Sequence, residues 1–454
     1  VIDVCVVGDG LVELAAALEF AEVGLSVRVV PAPGAEAGAG WQELLGDEGG
    51  ALDPEGHLHE FLTHLAAPIT PGDPAEQRAT PRTVEPTPVL LRGAKQRWVP
   101  APQPAVCGVP AVPMAADTMA VLGSAGAMRA VLDRVRPVLT IGKTHSFGEL
   151  VRARMGEAAL ERLVEPLARE TYGVHPNQID AAIIAPGLNE AMTRVGTLSG
   201  AALDTVERSV ARETRVLPDA GWAGLRDALR ARLALYRVEF ADAAPTRIRE
   251  AEDGWLVETP ADAEPGGEAT AAGEFTARSI VVGIDARTAV DAIPELAELR
   301  VGHVRAAGEL TIDDPGFPAE LQGSAAVRTV TLQDGAEWSV RAVRGAAGWL
   351  ARATGPAGEP ERAAMPSVAA RAREAVEAAG FVPRGAAHTL MPFAPYATVV
   401  SRDAAADRLD VWCAARSELL PVGAGLHGGA IAAALADARA RSVRLRRHLA
   451  GIAD

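Results

Sequence analysis

The first thirty residues constrain the fold more than any other stretch. Val4-Cys5-Val6-Val7 is a short apolar run that ends in Gly8-Asp9-Gly10. Such a run fits a strand buried on both faces of a parallel sheet. From Leu11 to Val23, alanine and leucine recur at helical spacing, and Gly24 follows as a natural helix stop. Val27-Arg28-Val29-Val30 reads as a second strand, cut off by Pro31. Strand, Gly-x-Gly turn, helix and strand form the unit that seats a pyrophosphate on a helix N-terminus. The expected fold class is therefore α/β, built on a Rossmann-like domain.

Two positions of that unit depart from the dinucleotide pattern. The third glycine position, three residues after Gly10, holds Glu13. The acidic residue expected at the end of the second strand is replaced by Val30 and Pro31. Asp9 and Glu13 place carboxylates near the expected pyrophosphate. At about 4 Å and an effective dielectric near 20, each like-charge pair costs up to about 4 kcal/mol. Glu13 also crowds the helix–strand contact that a third glycine permits. A dinucleotide could still bind if both side chains point to solvent, but without several of the usual stabilising contacts.

Composition narrows the alternatives. The 454 residues carry a formal net charge of −15, which argues against a nucleic-acid partner. It also disfavours broad attraction to an anionic membrane, leaving peripheral contact through a local patch open. Hydrophobic residues at 48% supply a sizeable core, and aromatics at 4% mean that Ala, Val and Leu build it. Cys5, Cys107 and Cys413 lie far apart, which suggests no disulfide framework and fits a reducing cytoplasm. No apolar run approaches the ~20 residues of a spanning helix. The first apolar run lacks a basic stretch before it, so a secretory leader is not expected.

Along the chain, prolines between Pro68 and Pro113 make long helices improbable, and Val89 to Val99 reads as a hairpin turning near Gly93. Ala116 to about Glu213 reads as mainly helical, with Ser146 and Glu149 as a capping box. Leu160, Leu163, Val164 and Leu167 form one buried face, interrupted by Pro166. Gly221 to Leu235 is an amphipathic helix. Strands are expected at Tyr236–Phe240, Trp255–Glu258 and Ser279–Gly283, with a polar loop over Asp262 to Glu274. Val301 to Arg344 alternates like strands of a second sheet, and Pro360 to Ala379 reads as a helix. A strand is expected within Asp407 to Ala414, then a Gly-rich turn from Gly423 and a helix to Leu449.

His59 and His64 superficially suggest a zinc-protease helix. They are five residues apart, about 140° around a helix, where that motif needs four, so no metal site is expected. Arg92, Lys95 and Arg97 cluster at the predicted hairpin turn. They read either as a receptor for an anionic substrate or as a solvated tip.

Several separated stretches, in order, resemble one family. They are Val4–Val30, Asp47-Glu48-Gly49, Cys107-Gly-Val-Pro110, and Ser146 to Gly156 running on through Pro166 to Tyr172 and Pro176. Leu217 to Leu229, Met391-Pro392-Phe393 and Gly423-Ala-Gly-Leu-His-Gly-Gly-Ala-Ile431 complete the set. The chain resembles a bacterial protoporphyrinogen or coproporphyrinogen oxidase of the amine-oxidase-like FAD superfamily. The resemblance implies FAD as cofactor, oxygen as oxidant and a porphyrinogen as the small-molecule substrate in haem biosynthesis. The flavin would do the redox chemistry and the protein would bind and orient, so no catalytic acid or base is nominated.

The resemblance implies flavin contacts at Gly8, Asp9, Gly10, Leu11, Gly221, Gly423, Gly428 and Gly429. It implies substrate contacts at Arg92, Arg97, Tyr172 and Met391. The expected domains are a discontinuous FAD-binding type over 1–55, 205–290 and 385–454, a sheet-based substrate domain over 56–115 and 291–384, and a helical subdomain over 116–204. The cleft is expected between domains, near the carboxyl ends of the parallel strands. Departures from the family fall on flavin contacts. Beside Glu13 and Pro31, Gly38-Ala39-Gly40 lacks an arginine, and Asp219-Ala220-Gly221 replaces Arg-Gly-Gly. Arg169 and Glu170 replace paired glycines, and Gly428-Gly429-Ala430 replaces Gly-Val-Gly. Two classes stay open: an FAD-dependent porphyrinogen oxidase, or a flavin-free relative that binds a porphyrin-like ligand or a protein partner.

Overall fold

Alternate residues of the first strand face two different cores. Val4 and Val6 pack into one cluster, and Cys5 and Val7 into another. The period of two in a strand makes this division. The computed structural model describes residues 1–32, 50–136, 145–209, 215–252, 254–260, 273–284, 293–299, 304–345, 348–358 and 365–452. Gly38-Ala39-Gly40, Asp47-Glu48-Gly49 and most of the Asp262–Glu274 loop lie outside them. The chain divides into two compact units: Val1–Glu85, Arg212–Val301 and Ala404–Asp454 form the first, Pro86–Ala211 and Gly302–Asp403 the second.

The first unit centres on β1 (Ile2–Val7), which pairs in parallel with β2 (Val27–Val30) and β8 (Glu274–Gly283). β5 (Glu239–Phe240) extends the sheet beyond β2, and β14 (Leu419–Val422) pairs in parallel with β8. Two antiparallel strands, β7 (Gly254–Glu258) and β6 (Arg247–Ala251), complete the other edge. One face is covered by α1 (Leu11–Ala21), α2 (His57–Ala66), α8 (Gly221–Leu235) and α11 (Ile431–Leu449). All eleven residues of α1 are buried, so it is apolar nearly all round because it has neighbours all round. Its two acids are buried with it. Glu19 is held by Arg439 at 2.6 Å and Arg446 at 3.2 Å; Glu13 lies in the first turn.

The segment expected as a strand within Asp407–Ala414 is instead the end of a helix, α10 (Val399–Ala414). Leu409 and Trp412, three apart, are buried on one helical face, while Val411 between them is exposed. A strand would have put Leu409 and Val411 on the same side. The short apolar run misled because it lacks the length to separate the two periods. Likewise, α8 runs to Leu235, so β5 starts only at Glu239 rather than at Tyr236.

In the second unit an antiparallel sheet runs in the order β13 (Pro383–Leu390), β9 (Val304–Ile312), β12 (Gly348–Gly358), β11 (Glu337–Gly345) and β10 (Ala325–Thr331). The hairpin β3 (Val89–Arg92) and β4 (Trp98–Pro100) adds at the end, β3 running parallel to β10. Helix α9 (Met365–Ala378) packs on the sheet. The helical part comprises α3 (Ala116–Val131), α4 (Phe147–Met155), α5 (Glu165–Tyr172), α6 (Leu188–Val195) and α7 (Leu198–Ser209). Ser146 accepts the Glu149 N–H and caps α4. Pro166 sits in the first turn of α5, directly after a π-helical turn at Leu160–Val164. The proline's missing N–H is tolerated there and would not be in mid-helix. Among the described residues, no helix is long and apolar enough to cross a membrane.

Candidate functional site

The glycine turn after β1 is shaped as a phosphate seat, but an internal carboxylate stands in it. Gly8 has φ +114°, a conformation that favours glycine, and its N–H donates to Val30 O at 2.8 Å. Gly10 is the N-cap of α1 and has no side chain to cap with. Glu13 is therefore the third helical residue, from which a carboxylate reaches back toward the N-cap backbone. It is 6% exposed. A Cβ on Gly10 would stand 2.5 Å from Glu13 Oε2, and one on Gly8 would stand 3.1 Å from Glu13 Cγ. A Cβ on Gly283, at the end of β8, would stand 2.7 Å from Glu13 Cδ. Three glycines thus leave the room that the glutamate fills.

The electrostatics follow from the placement. The first turn of a helix presents unpaired N–H groups and a partial positive charge. A bound phosphate normally complements them. Here a carboxyl side chain of the helix itself, Glu13 at the third helical position, stands where that phosphate would complement the helix end. Of the two orientations open to Glu13 from sequence, the inward one is taken.

Asp9, the other acid of the turn, is half-buried and lies 3.9 Å from Arg230. The Arg230 guanidinium covers the Phe240 ring at 4.1 Å. Beside them opens a cavity of about 340 Å³, lined among others by Asp9, Pro31, Asp227 and Asp242. Asp242, just past β5, brings to this cavity the acid that the end of β2 lacks. Sequence reading missed it because β5 adjoins β2 only through the sheet.

The other nominated flavin contacts sit at the same kind of strand end or helix start. Gly221 opens α8 with φ +69°. Gly423, Gly428 and Gly429 have φ of +143°, +62° and +83° in the turn between β14 and α11. Behind that turn, Asp437 lies 3.4 Å from His427 and 2.8 Å from Arg441. Burial opposes the Asp437 charge, but these hydrogen bonds and the Arg441 charge hold its carboxyl below the usual range. Leu11 is a core residue of α1, so its contact with any ligand would be through its backbone.

The substrate-side candidates are dispersed within the second unit. Arg92 is half-buried; its guanidinium lies 4.3 Å over the Trp98 ring and donates to Gln96 O. Lys95 and Arg97 are exposed on the turn. Tyr172 ends α5, and burial, with Cys107 nearby, pushes its phenol well above the usual range. Met391 follows β13. Arg305 ties these last two regions together. Its backbone N–H donates to Pro392 O, and its buried guanidinium donates to Arg169 O, Glu170 O, Thr171 O and Gly355 O. Glu170 pairs with Arg341 at 3.0 Å. Among the described residues, no group of three His, Cys, Asp or Glu side chains could hold a metal ion.

No family model and no curated protein matches this sequence. Solved structures do match. A protein of Exiguobacterium provisionally assigned as a protoporphyrinogen oxidase is 16% identical, with 99% of each chain covered and a TM-score of 0.65. An oxidoreductase from Methanosarcina mazei is 13% identical over 96% of this chain and 99% of its own, with a TM-score of 0.52. Cyclohexylamine oxidase from Brevibacterium oxydans is 16% identical over 99% of each chain, with a TM-score of 0.50. The chain therefore shares the α/β fold of these solved structures, the fold class that its first thirty residues led one to expect.

Proposed function

We propose that this protein is a flavin-independent member of that fold, which binds a porphyrin-like small molecule without oxidising it. One observation carries the reading: the Glu13 carboxylate buried among Gly8, Gly10 and Gly283. The fold implies FAD, and the residues at the glycine turn do not fit it. A pyrophosphate on the α1 N-terminus would meet a carboxylate already there. At about 4 Å that repulsion reaches about 4 kcal/mol, roughly a thousandfold in affinity, before any steric conflict. The ligand class comes from the name of the Exiguobacterium neighbour. The reading takes the protein to be cytoplasmic, in line with its three separated cysteines.

The test is spectroscopic. Gently purified protein should show no flavin absorbance, and excess FAD should not bind on reconstitution. Coproporphyrin III or protoporphyrin IX should bind saturably, and the matching porphyrinogen should not be consumed faster than in buffer. Failure of both porphyrins to bind would remove the ligand class and leave a protein partner as the occupant to seek.

A second reading, an FAD-dependent porphyrinogen oxidase, is favoured by two features. The glycines at 423, 428 and 429 hold positive φ in the turn before α11, and Asp242 supplies an acid to the cavity that Asp9 lines. Flavin in the purified protein, with oxygen-dependent consumption of a porphyrinogen, would put this reading in place of the first.

A further inference from the structure

The second unit holds a cavity that the motif order does not account for. β3 and β10 pair only at Val89–Ala325 and Leu90–Ala326, and then part. Where they part, a cavity of about 410 Å³ opens between the hairpin turn, β10 from Val327 to Thr331, and the chain at Glu161–Pro166. Three arginines line it: Arg92, Arg162 and Arg328. Each donates to a backbone carbonyl, of Gln96, Leu122 and Ala379 respectively. None of the three has a carboxylate partner among the described residues.

Three glutamates also line the cavity, and two are already committed. Glu165 and Glu337 both hold Arg169, at 2.6 and 2.5 Å. Glu161 is exposed at the rim. Carbonyl contacts orient a guanidinium but leave its full charge. Arg92 and Arg328 are close enough to repel, and burial together with that repulsion lowers the Arg92 pKa. Neither guanidinium of that pair is in an ion pair among the described residues. We infer that this cavity binds a small oxyanion-bearing molecule, a carboxylate or a phosphate, through Arg92, Arg162 and Arg328. Arginine forks match both groups in bidentate geometry. The site lies wholly within the second unit and does not depend on whether flavin binds; of the substrate contacts that the resemblance implies, it includes Arg92 alone.

The test is calorimetric titration of the whole protein with inorganic phosphate and, separately, with succinate, each against sodium chloride at matched ionic strength. Saturable binding of one anion identifies the source of the oxyanion, and binding of both supports the shared chemistry. Arg162 is exposed, so Arg162→Gln should fold normally and weaken binding about tenfold. Arg328→Gln should do the same. Arg402→Gln, an exposed arginine paired with Asp403 outside this cavity, should bind like the parent. No saturable binding of either anion above the chloride control would overturn the proposal. So would equal binding by the parent, Arg162→Gln and Arg328→Gln.

Discussion

The carboxyl carbon of Glu13 stands 2.7 Å from the point where a Cβ would lie on Gly283. Helix α1 and strand β8 approach one another through that pair, a glycine on the strand making room for a glutamate on the helix. Gly283→Ala should therefore destabilise by overpacking, by about 1–3 kcal/mol. In a Glu13→Gly background the same alanine should cost much less, because its obstacle is gone. Denaturant unfolding of the four proteins in a double-mutant cycle measures the coupling. Additive effects would mean that the two residues do not meet.

Charge and volume at the turn are separable. Glu13→Gln keeps the bulk and removes the negative charge, whereas Glu13→Gly removes both. If the seat is physically filled, Gln should leave FAD or ADP unbound and Gly should admit it. The readout is fluorescence or calorimetric titration with each nucleotide. Binding to Glu13→Gln as tight as to Glu13→Gly would assign the exclusion to charge alone.

Arg305 joins β9 to the carbonyls at the end of α5. Burial pushes its guanidinium down to about 10, with Glu170 opposing the shift, so it stays charged at neutral pH. Arg305→Met should leave several buried carbonyls without donors, at about 1–3 kcal/mol each. A loss of roughly 3 kcal/mol or more in denaturant unfolding is expected. A loss below about 1 kcal/mol would mean that the clamp is dispensable.

Asp437 gives the fold a pH signature. Its folded carboxyl lies below the usual value through His427 and Arg441, against the opposing effect of burial. A depressed acid contributes stability above its unfolded pKa of about 3.9, and that stability is lost as pH falls through the folded value. Asp437→Asn should be less stable at neutral pH, and its stability should fall less steeply below about pH 4. Parallel stability curves for parent and variant across that range would contradict this.

Much of the fold was legible because apolar periodicity reports burial directly. The β1–α1–β2 unit, the hairpin at Gly93 and helix Gly221–Leu235 follow from local pattern alone. The end of α10 did not, since seven or eight residues do not separate a period of 2 from one of 3.6. The site was legible only as residue types. Sequence placed Glu13 at a glycine position but left its rotamer open. What decides the rotamer is Gly283, 270 positions away along the chain and adjacent only through β1–β8 pairing. Asp242 and Arg328 escaped for the same reason: each reaches its cavity through a sheet neighbour distant in sequence.

The carboxylate that completes the turn after β1 also bears on how this protein matures in a cell. A fold that waits for a dinucleotide gains stability by mass action, so its abundance follows the supply of that cofactor. On the flavin-independent reading proposed above, a chain that carries its own anion has no such dependence. Its finished state would then be reached at synthesis, and starving the cell of riboflavin should leave its steady-state level unchanged.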